Sequence, residues 1–191
     1  MILGFGFVLL LMQACHNSPE KINARPQAED TTRQSFFPVT DYVKGQIRDI
    51  TERHVNPIKY ITVGDHTDSS WLKVEELPQA FDDFLHPVID SLNLISFFKE
   101  SGFMDQTIDA FTFTYEPKSK LPDSITLEHW DVYIDPTTSK VRRIYMLKNA
   151  GEGKTRQLTW QGDKWCKIVD LNTKADGTST IEKEVKITWD F

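Results

Sequence analysis

The sequence predicts an α+β fold in which N-terminal helices pack on one face of a C-terminal antiparallel meander sheet of about five strands. Three observations lead to this class. Apolar residues recur at helical spacing before residue 105, apolar and polar residues alternate after it, and the alternating stretches are joined by short turn-rich connections. In a meander of this kind, helices cover one face and water covers the other.

Composition supports one globular domain and argues against one class of partner. Hydrophobic residues make up 39% and aromatic residues 12% of the 191 residues, which is enough to build a core. The net charge is −6, and the sequence contains no block of Lys or Arg. Because nucleic-acid binding depends on cations that neutralise phosphates, the chain is not expected to bind nucleic acid.

The first element is an apolar run over residues 2–12, ILGFGFVLLLM. A membrane-spanning helix needs about 20 apolar residues, whereas a shorter run is typical of a signal-peptide core. Gln13, Ala14 and Cys15 follow, and this arrangement resembles the lipobox of bacterial lipoproteins. The resemblance implies that residues 1–14 are a signal peptide that is removed. It also implies that Cys15 carries the lipid that anchors the protein in a membrane.

Residues 15–35 form the second predicted segment, a flexible tether. The stretch after Cys15 contains one sizeable aliphatic residue, Ile22, so it cannot bury enough apolar surface to fold by itself. A chain of about 20 such residues has a root-mean-square span of about 25 Å, which would hold a domain clear of the lipid headgroups. A single α+β globular domain is then predicted over residues 36–191.

The domain is predicted to begin with an amphipathic helix. Its apolar stripe consists of Val39, Tyr42, Val43, Ile47 and Ile50. A strand is predicted next, over the β-branched and aromatic sequence PIKYITVGD. Two further helices are predicted: one that Pro87 ends at His86, and one over residues 92–101 with Gly102 at its C-terminal cap.

The remaining predicted elements are strands. In residues 109–117, DAFTFTYEP, aromatic residues alternate with threonine, as in a strand with one buried face. Two hairpins follow, around the turn-rich sequences DPTTS and QGDK. The last strand, residues 182–191, has apolar residues on one face and charged or polar residues on the other.

The chain as a whole resembles the uncharacterised lipoproteins of Bacteroidetes-type bacteria, whose last strand is rich in tryptophan and phenylalanine and similar to ITWDF at residues 187–191. This resemblance implies a place in the bacterial cell envelope, lipid-anchored at the outer membrane, and it brings no known activity. A periplasm-facing position is expected, because HNSPE after Cys15 lacks the acidic cluster associated with surface export.

No stretch of the sequence predicts an enzyme. The strongest candidate is GDHTDSS, residues 64–70, in which Asp65, His66 and Asp68 would supply ligands to a divalent metal. Their spacing matches neither an EF-hand loop nor a zinc-binding helix, and Asp, Ser and Gly are typical of solvated turns. No G-x-S-x-G nucleophile motif occurs either. The sequence therefore predicts no catalytic residue, metal or cofactor.

Cys166 lacks an intramolecular partner once Cys15 is assigned to lipid. Two interpretations remain open. The thiol is either a small buried side chain within a strand, or a reactive group that forms an intermolecular bridge.

Trp160 and Trp165 are the candidates for ligand binding. They flank the QGDK turn, where they would either stabilise the sheet as packed aromatics or form an exposed platform for a sugar ring or a partner chain. The first hypothesis is a membrane-anchored, non-enzymatic envelope module that binds a protein partner or assists assembly. The alternative is a glycan-binding surface lipoprotein that uses Trp160 and Trp165, and a third hypothesis is a hydrolase acting from residues 65–70.

Overall fold

A sheet of nine antiparallel strands dominates the computed structural model, which describes residues 35–189. The predicted signal peptide, Cys15 and the tether up to residue 34 lie outside this range. The helices are α1, Val39–Glu52; α2, Leu77–Ala80; and α3, Asp82–Leu85. The strands are β1, Ile58–Val63; β2, His66–Trp71; β3, Phe98–Asp105; β4, Ala110–Pro117; β5, Leu127–Ile134; β6, Val141–Asn149; β7, Lys154–Gln161; β8, Trp165–Thr173; and β9, Ser179–Thr188.

The strand order across the sheet is β2-β1-β9-β8-β7-β6-β5-β4-β3. Strands β3 to β9 form a continuous meander in which each strand pairs with the next in sequence. The hairpin of β1 and β2 extends this meander, because β1 pairs with β9 from Ile58 opposite Thr188 to Thr62 opposite Glu184. Strands β2 and β3 are therefore the two edges of the sheet.

The predicted fold class, with several helices on a meander of about five strands, is wrong. The sheet has nine strands, and among the described residues only α1 is a helix of more than four residues. Two of the strands, β2 and β3, were not predicted from the sequence pattern. Strand β2 consists of exposed and mostly polar residues, and it is a strand because it pairs with β1.

Strand β3 lies where the sequence predicted the end of a helix. Residues 93–97 form turns, and the strand begins at Phe98 and continues through Gly102. Eight consecutive residues of β3 pair with β4, with Gly102 opposite Phe113. The hydrogen bonds to this neighbouring strand outweigh the weak local preference for a helix.

Several local predictions are confirmed. Helix α1 covers the predicted amphipathic stretch, and strands β4 to β9 lie in the stretches with alternating residues. Helix α3 ends before Pro87, with His86 in an extended conformation at φ −128° and ψ 139°. This is the backbone geometry that a following proline favours.

The core lies between one face of the sheet and the helical segments. Trp130, Trp160 and Trp189 are at most 1% exposed. Phe81 and Phe84, from the α2–α3 segment, contact the ring of Trp160 edge-on at centroid distances of 5.1 and 5.2 Å. These contacts define the covered face of the sheet. The opposite face, called here the open face, has no helix of the described chain packed on it.

Within residues 35–189, no helix has both the length and the apolar character needed to cross a membrane.

Candidate functional site

Trp160 and Trp165 lie on opposite faces of the sheet. In the β7–β8 hairpin, Trp160 pairs with Cys166 and Gln161 pairs with Trp165, so the two tryptophans differ by one position in the alternation. Trp160 is fully buried in the core. Trp165 is half-buried on the open face, where the Lys186 ammonium lies 5.6 Å from its ring centroid. The pair therefore does not form a shared platform, and only Trp165 is accessible to a ligand.

The GDHTDSS stretch forms the β1–β2 turn and most of β2. His66 and Asp68 are in contact, with Nε2 and Oδ1 3.2 Å apart, but both side chains are more than three-quarters exposed. Among the described residues, no three His, Cys, Asp or Glu side chains lie close enough together to hold a metal ion. Ser70 pairs with Lys59 on β1 and lies four residues along the same extended strand from His66, about 13 Å away, which is too far for the two side chains to form a catalytic pair.

Cys166 is a buried residue of the sheet. It is 1% exposed and pairs with Ile187 of β9 and Trp160 of β7. Burial raises the pKa of its thiol well above the ordinary value. Because thiolates are the reactive form, this environment favours the interpretation as a packed side chain over that as a reactive thiol.

The densest group of interacting polar and aromatic side chains lies on the open face. It is called here the open-face cluster and consists of Thr114, His129, Asp131, Tyr133, Arg143 and Tyr145. Strand β5 places His129, Asp131 and Tyr133 on one face because they are two residues apart. The register with β6 then sets Tyr145 opposite Asp131 and Arg143 opposite Tyr133.

Asp131 is the centre of the open-face cluster. Thr114 Oγ1 donates to Asp131 Oδ1 over 2.7 Å, while His129 Nε2 and Tyr133 Oη each lie 3.4 Å from Oδ2. Around this carboxylate, the guanidinium carbon of Arg143 lies 4.2 Å from the centroid of the Tyr133 ring. These contacts hold the side chains in fixed positions relative to one another, because each is restrained by at least one neighbour.

Ionisation in the open-face cluster is coupled. The hydrogen bond to Asp131 raises the pKa of His129 and outweighs its burial. Burial alone would raise the pKa of Asp131, but the hydrogen bonds from His129 and Thr114 lower it further than burial raises it. Burial also raises the pKa of Tyr133. At neutral pH the cluster therefore contains an anionic carboxylate beside a neutral phenol and a histidine that protonates readily.

This arrangement does not match a hydrolase. In a catalytic triad, the nucleophilic hydroxyl donates to the histidine and the acid orients that histidine. Here the hydroxyl of Thr114 donates to the acid itself, so His129 is not placed to remove its proton. The cluster instead presents aromatic surface together with hydrogen-bond donors and acceptors and with charged side chains of both signs.

Three concavities lie at one end of strands β4 to β7. The largest, about 870 Å³, lies between the β4–β5 loop and the β6–β7 turn. It shares Pro117 and Glu128 with a concavity of about 660 Å³ that includes His129 and Asp131. On its other side it shares lining residues with a third, of about 420 Å³, that includes Lys148 and Arg156.

The sequence contains a signal for the open-face cluster and another for Lys148, although neither was predicted. The alternating pattern of β5 places three polar residues, His129, Asp131 and Tyr133, on one face. The short turn before β6 then brings Arg143 beside them. Lys148 lies on the same face of β6 as the buried residues Ile144 and Met146. A charged residue at such a position indicates a buried polar contact.

Comparison with protein-family models, with curated proteins and with solved structures finds no match to this chain.

Proposed function

We propose that this protein is a non-enzymatic binding module of the bacterial cell envelope, anchored to the outer membrane through lipid on Cys15. In this proposal the open-face cluster binds a protein partner, and the anchor keeps the domain near the membrane. The lipobox-like sequence supports the anchor, and the open face of the sheet supports the binding role.

One observation carries the binding role: the open-face cluster is half-buried and interlocked although no element of the described chain covers it. Tyrosine and arginine are enriched at the energetic centres of protein interfaces. Tyr133 and Arg143 are already stacked at 4.2 Å, so little side-chain entropy would be lost when a partner binds. Exposed side chains without neighbours would offer no such advantage.

The decisive experiment is affinity capture from detergent-solubilised envelopes with the lipidated full-length protein. The double variant Tyr133→Ala/Arg143→Ala removes the stacked pair and is expected to lose the captured partner. The matched control is Arg48→Ala/Glu52→Ala, which removes an exposed ion pair of 3.9 Å on α1. Equal capture by wild type, variant and control would contradict the assignment of the open face.

The anchor is tested separately by mass spectrometry of the mature N-terminus. A chain that begins at a lipidated Cys15 is the expected result. An uncleaved chain with an unmodified Cys15 would refute the envelope anchor, whatever the outcome of the capture experiment.

A second candidate, glycan binding, is favoured by Trp165. This tryptophan lies on the same open face, half-exposed and next to Lys186, which suits stacking against a sugar ring. Trp130, Trp160 and Trp189 are shielded from solvent, so a fluorescence change on titration with glycans would report mainly on the exposed tryptophans. Trp165→Phe is expected to remove most of that change, and the absence of any change across a glycan panel would refute this candidate.

A further inference from the structure

Lys148 is a lysine on the covered face of the sheet. Lys148 is only 7% exposed, and its Nζ donates hydrogen bonds to the main-chain oxygens of Asp83 and His86 at the end of α3. An ammonium group has three N–H donors. Two are used in this way, and no acceptor for the third is found within residues 35–189.

The acidic side chains beside Lys148 are directed to Arg156 instead. Arg156 Nε and Nη2 donate to the two carboxylate oxygens of Asp170 over 2.6 and 3.2 Å, and Nη1 donates to Asp83 Oδ1 over 2.9 Å. In the described part of the chain, no carboxylate forms an ion pair with Lys148. Arg156 is thus neutralised, whereas Lys148 is a buried cation bonded only to neutral carbonyl groups.

A buried ammonium that bonds directly to no carboxylate is less stable in its charged form than one in an ion pair. Burial, with a smaller contribution from the charge of Arg156, lowers the pKa of Lys148 to about 8 and outweighs the opposing effect of the nearby Asp83 and Asp82 carboxylates. An anion placed next to Nζ would supply a directly bonded negative charge and an acceptor for the third N–H together.

Space for such an anion exists beside the two cations. The third concavity, of about 420 Å³, is lined by both Lys148 and Arg156, with Pro87 and Ala150 on its walls. Arg156 uses three of its five N–H groups on Asp83 and Asp170, so two remain for a ligand. The volume is in the range of small-molecule sites.

We propose that this concavity is a binding site for the oxyanion group of a small ligand, with Lys148 Nζ as the principal donor and Arg156 as the second. This site is distinct from the open-face cluster, since it lies on the covered side of the sheet. The surrounding charges are Asp82, Asp83 and His86 on and after α3, Arg156 on β7 and Asp170 on β8. Three carboxylates so close to the site disfavour a doubly charged ligand, so the site is better suited to a monocarboxylate than to a phosphate dianion.

The test is a binding titration of the folded protein with acetate, with larger monocarboxylates such as benzoate, and with inorganic phosphate, against sodium chloride at matched ionic strength. The chemical shift of Lys148 Nζ and the unfolding temperature are the two readouts. Saturable shifts with the monocarboxylates are expected. Because the anion binds the protonated amine, affinity is expected to fall about tenfold between pH 7 and pH 9, given the pKa of about 8. Saturation by phosphate alone would assign the site to phosphate rather than to carboxylate and overturn that part of the proposal.

Variants separate binding from stability. Ala150→Phe fills the concavity from an exposed position and leaves the hydrogen bonds of Lys148 in place, so it should abolish binding in a folded protein. Lys148→Met should abolish binding and also lower the unfolding temperature, because two carbonyl groups lose their donor. The control is Lys118→Met, which removes an exposed lysine that donates to the Ile95 carbonyl over 2.7 Å. The site would be refuted if no anion saturates, or if Ala150→Phe binds as wild type does.

Discussion

Replacing Trp160 with alanine is expected to lower the free energy of unfolding by about 3–5 kcal/mol, the range found when a fully buried large aromatic residue is truncated. The structure supports the upper part of this range, because the Trp160 ring contacts Phe81, Phe84 and Trp189 at centroid distances of 5.1, 5.2 and 5.1 Å. Such aromatic pairs contribute about 0.5–1.5 kcal/mol each beyond their buried area. One feature reduces the loss: Trp160 Nε1 is buried without a hydrogen-bond partner among the described residues.

That indole N–H makes a second substitution informative. Trp160→Phe keeps a ring against the same neighbours and removes the buried donor, whose desolvation costs about 1–3 kcal/mol. Its net effect should therefore be only about 1 kcal/mol. Trp165→Ala is the control from the open face, where a half-exposed side chain should contribute less than about 1 kcal/mol.

The assay is urea denaturation followed by far-UV circular dichroism, with the free energy extrapolated to water. A loss of 3–5 kcal/mol is a large share of the 5–15 kcal/mol that typically stabilises a domain, so the shift in the midpoint would be obvious. If Trp160→Ala lost less than about 1 kcal/mol, or no more than Trp165→Ala, the assignment of Trp160 to the core would be refuted.

Three further predictions test the open face, the buried thiol and the turns. Since the hydrogen bond to Asp131 raises the pKa of His129 and the pKa of Asp131 is itself lowered, the pair should stabilise the fold most between about pH 4 and pH 6.5. That stability should be lost as the pH rises through the folded-state pKa of His129, and lost again in acid as Asp131 becomes protonated. In Asp131→Asn, an NMR titration should find a lower pKa for His129. Cys166 should resist maleimide in the native protein and react once urea unfolds it. Gly153→Ala should destabilise by about 1–3 kcal/mol, because φ is +67° and a Cβ would lie 2.8 Å from a backbone oxygen, whereas Gly45→Ala in α1 should stabilise by up to about 1 kcal/mol.

Each of these has a clear contrary result. An unchanged titration of His129 in Asp131→Asn would show that the contact between His129 Nε2 and Asp131 Oδ2, 3.4 Å apart, does not stabilise the protonated imidazole. Rapid labelling of Cys166 in the folded state would restore the interpretation as a reactive thiol. Equal effects of the two glycine substitutions would contradict the backbone conformations on which they depend.

The sequence by itself determined the elements whose cause is local. The apolar stripe of α1 follows from residues three and four apart, and the end of α3 follows from Pro87. Strands β4 to β9 follow from alternation, which requires no knowledge of the neighbouring strand. The lipobox-like Cys15 is also a local motif, and it remains a prediction.

Tertiary structure alone decided which residues are strands without a hydrophobic pattern and which face of the sheet is covered. Polar β2 is a strand because β1 supplies its hydrogen bonds, and β3 is a strand rather than a helix because β4 lies beside it. Alternation shows that residues two apart share a face, but it does not show which face the helices cover. Packing of the helices on one face buries Trp160 and leaves Trp165 and the open-face cluster on the other face. This could not be predicted from local sequence, because register and packing depend on residues far apart in the chain.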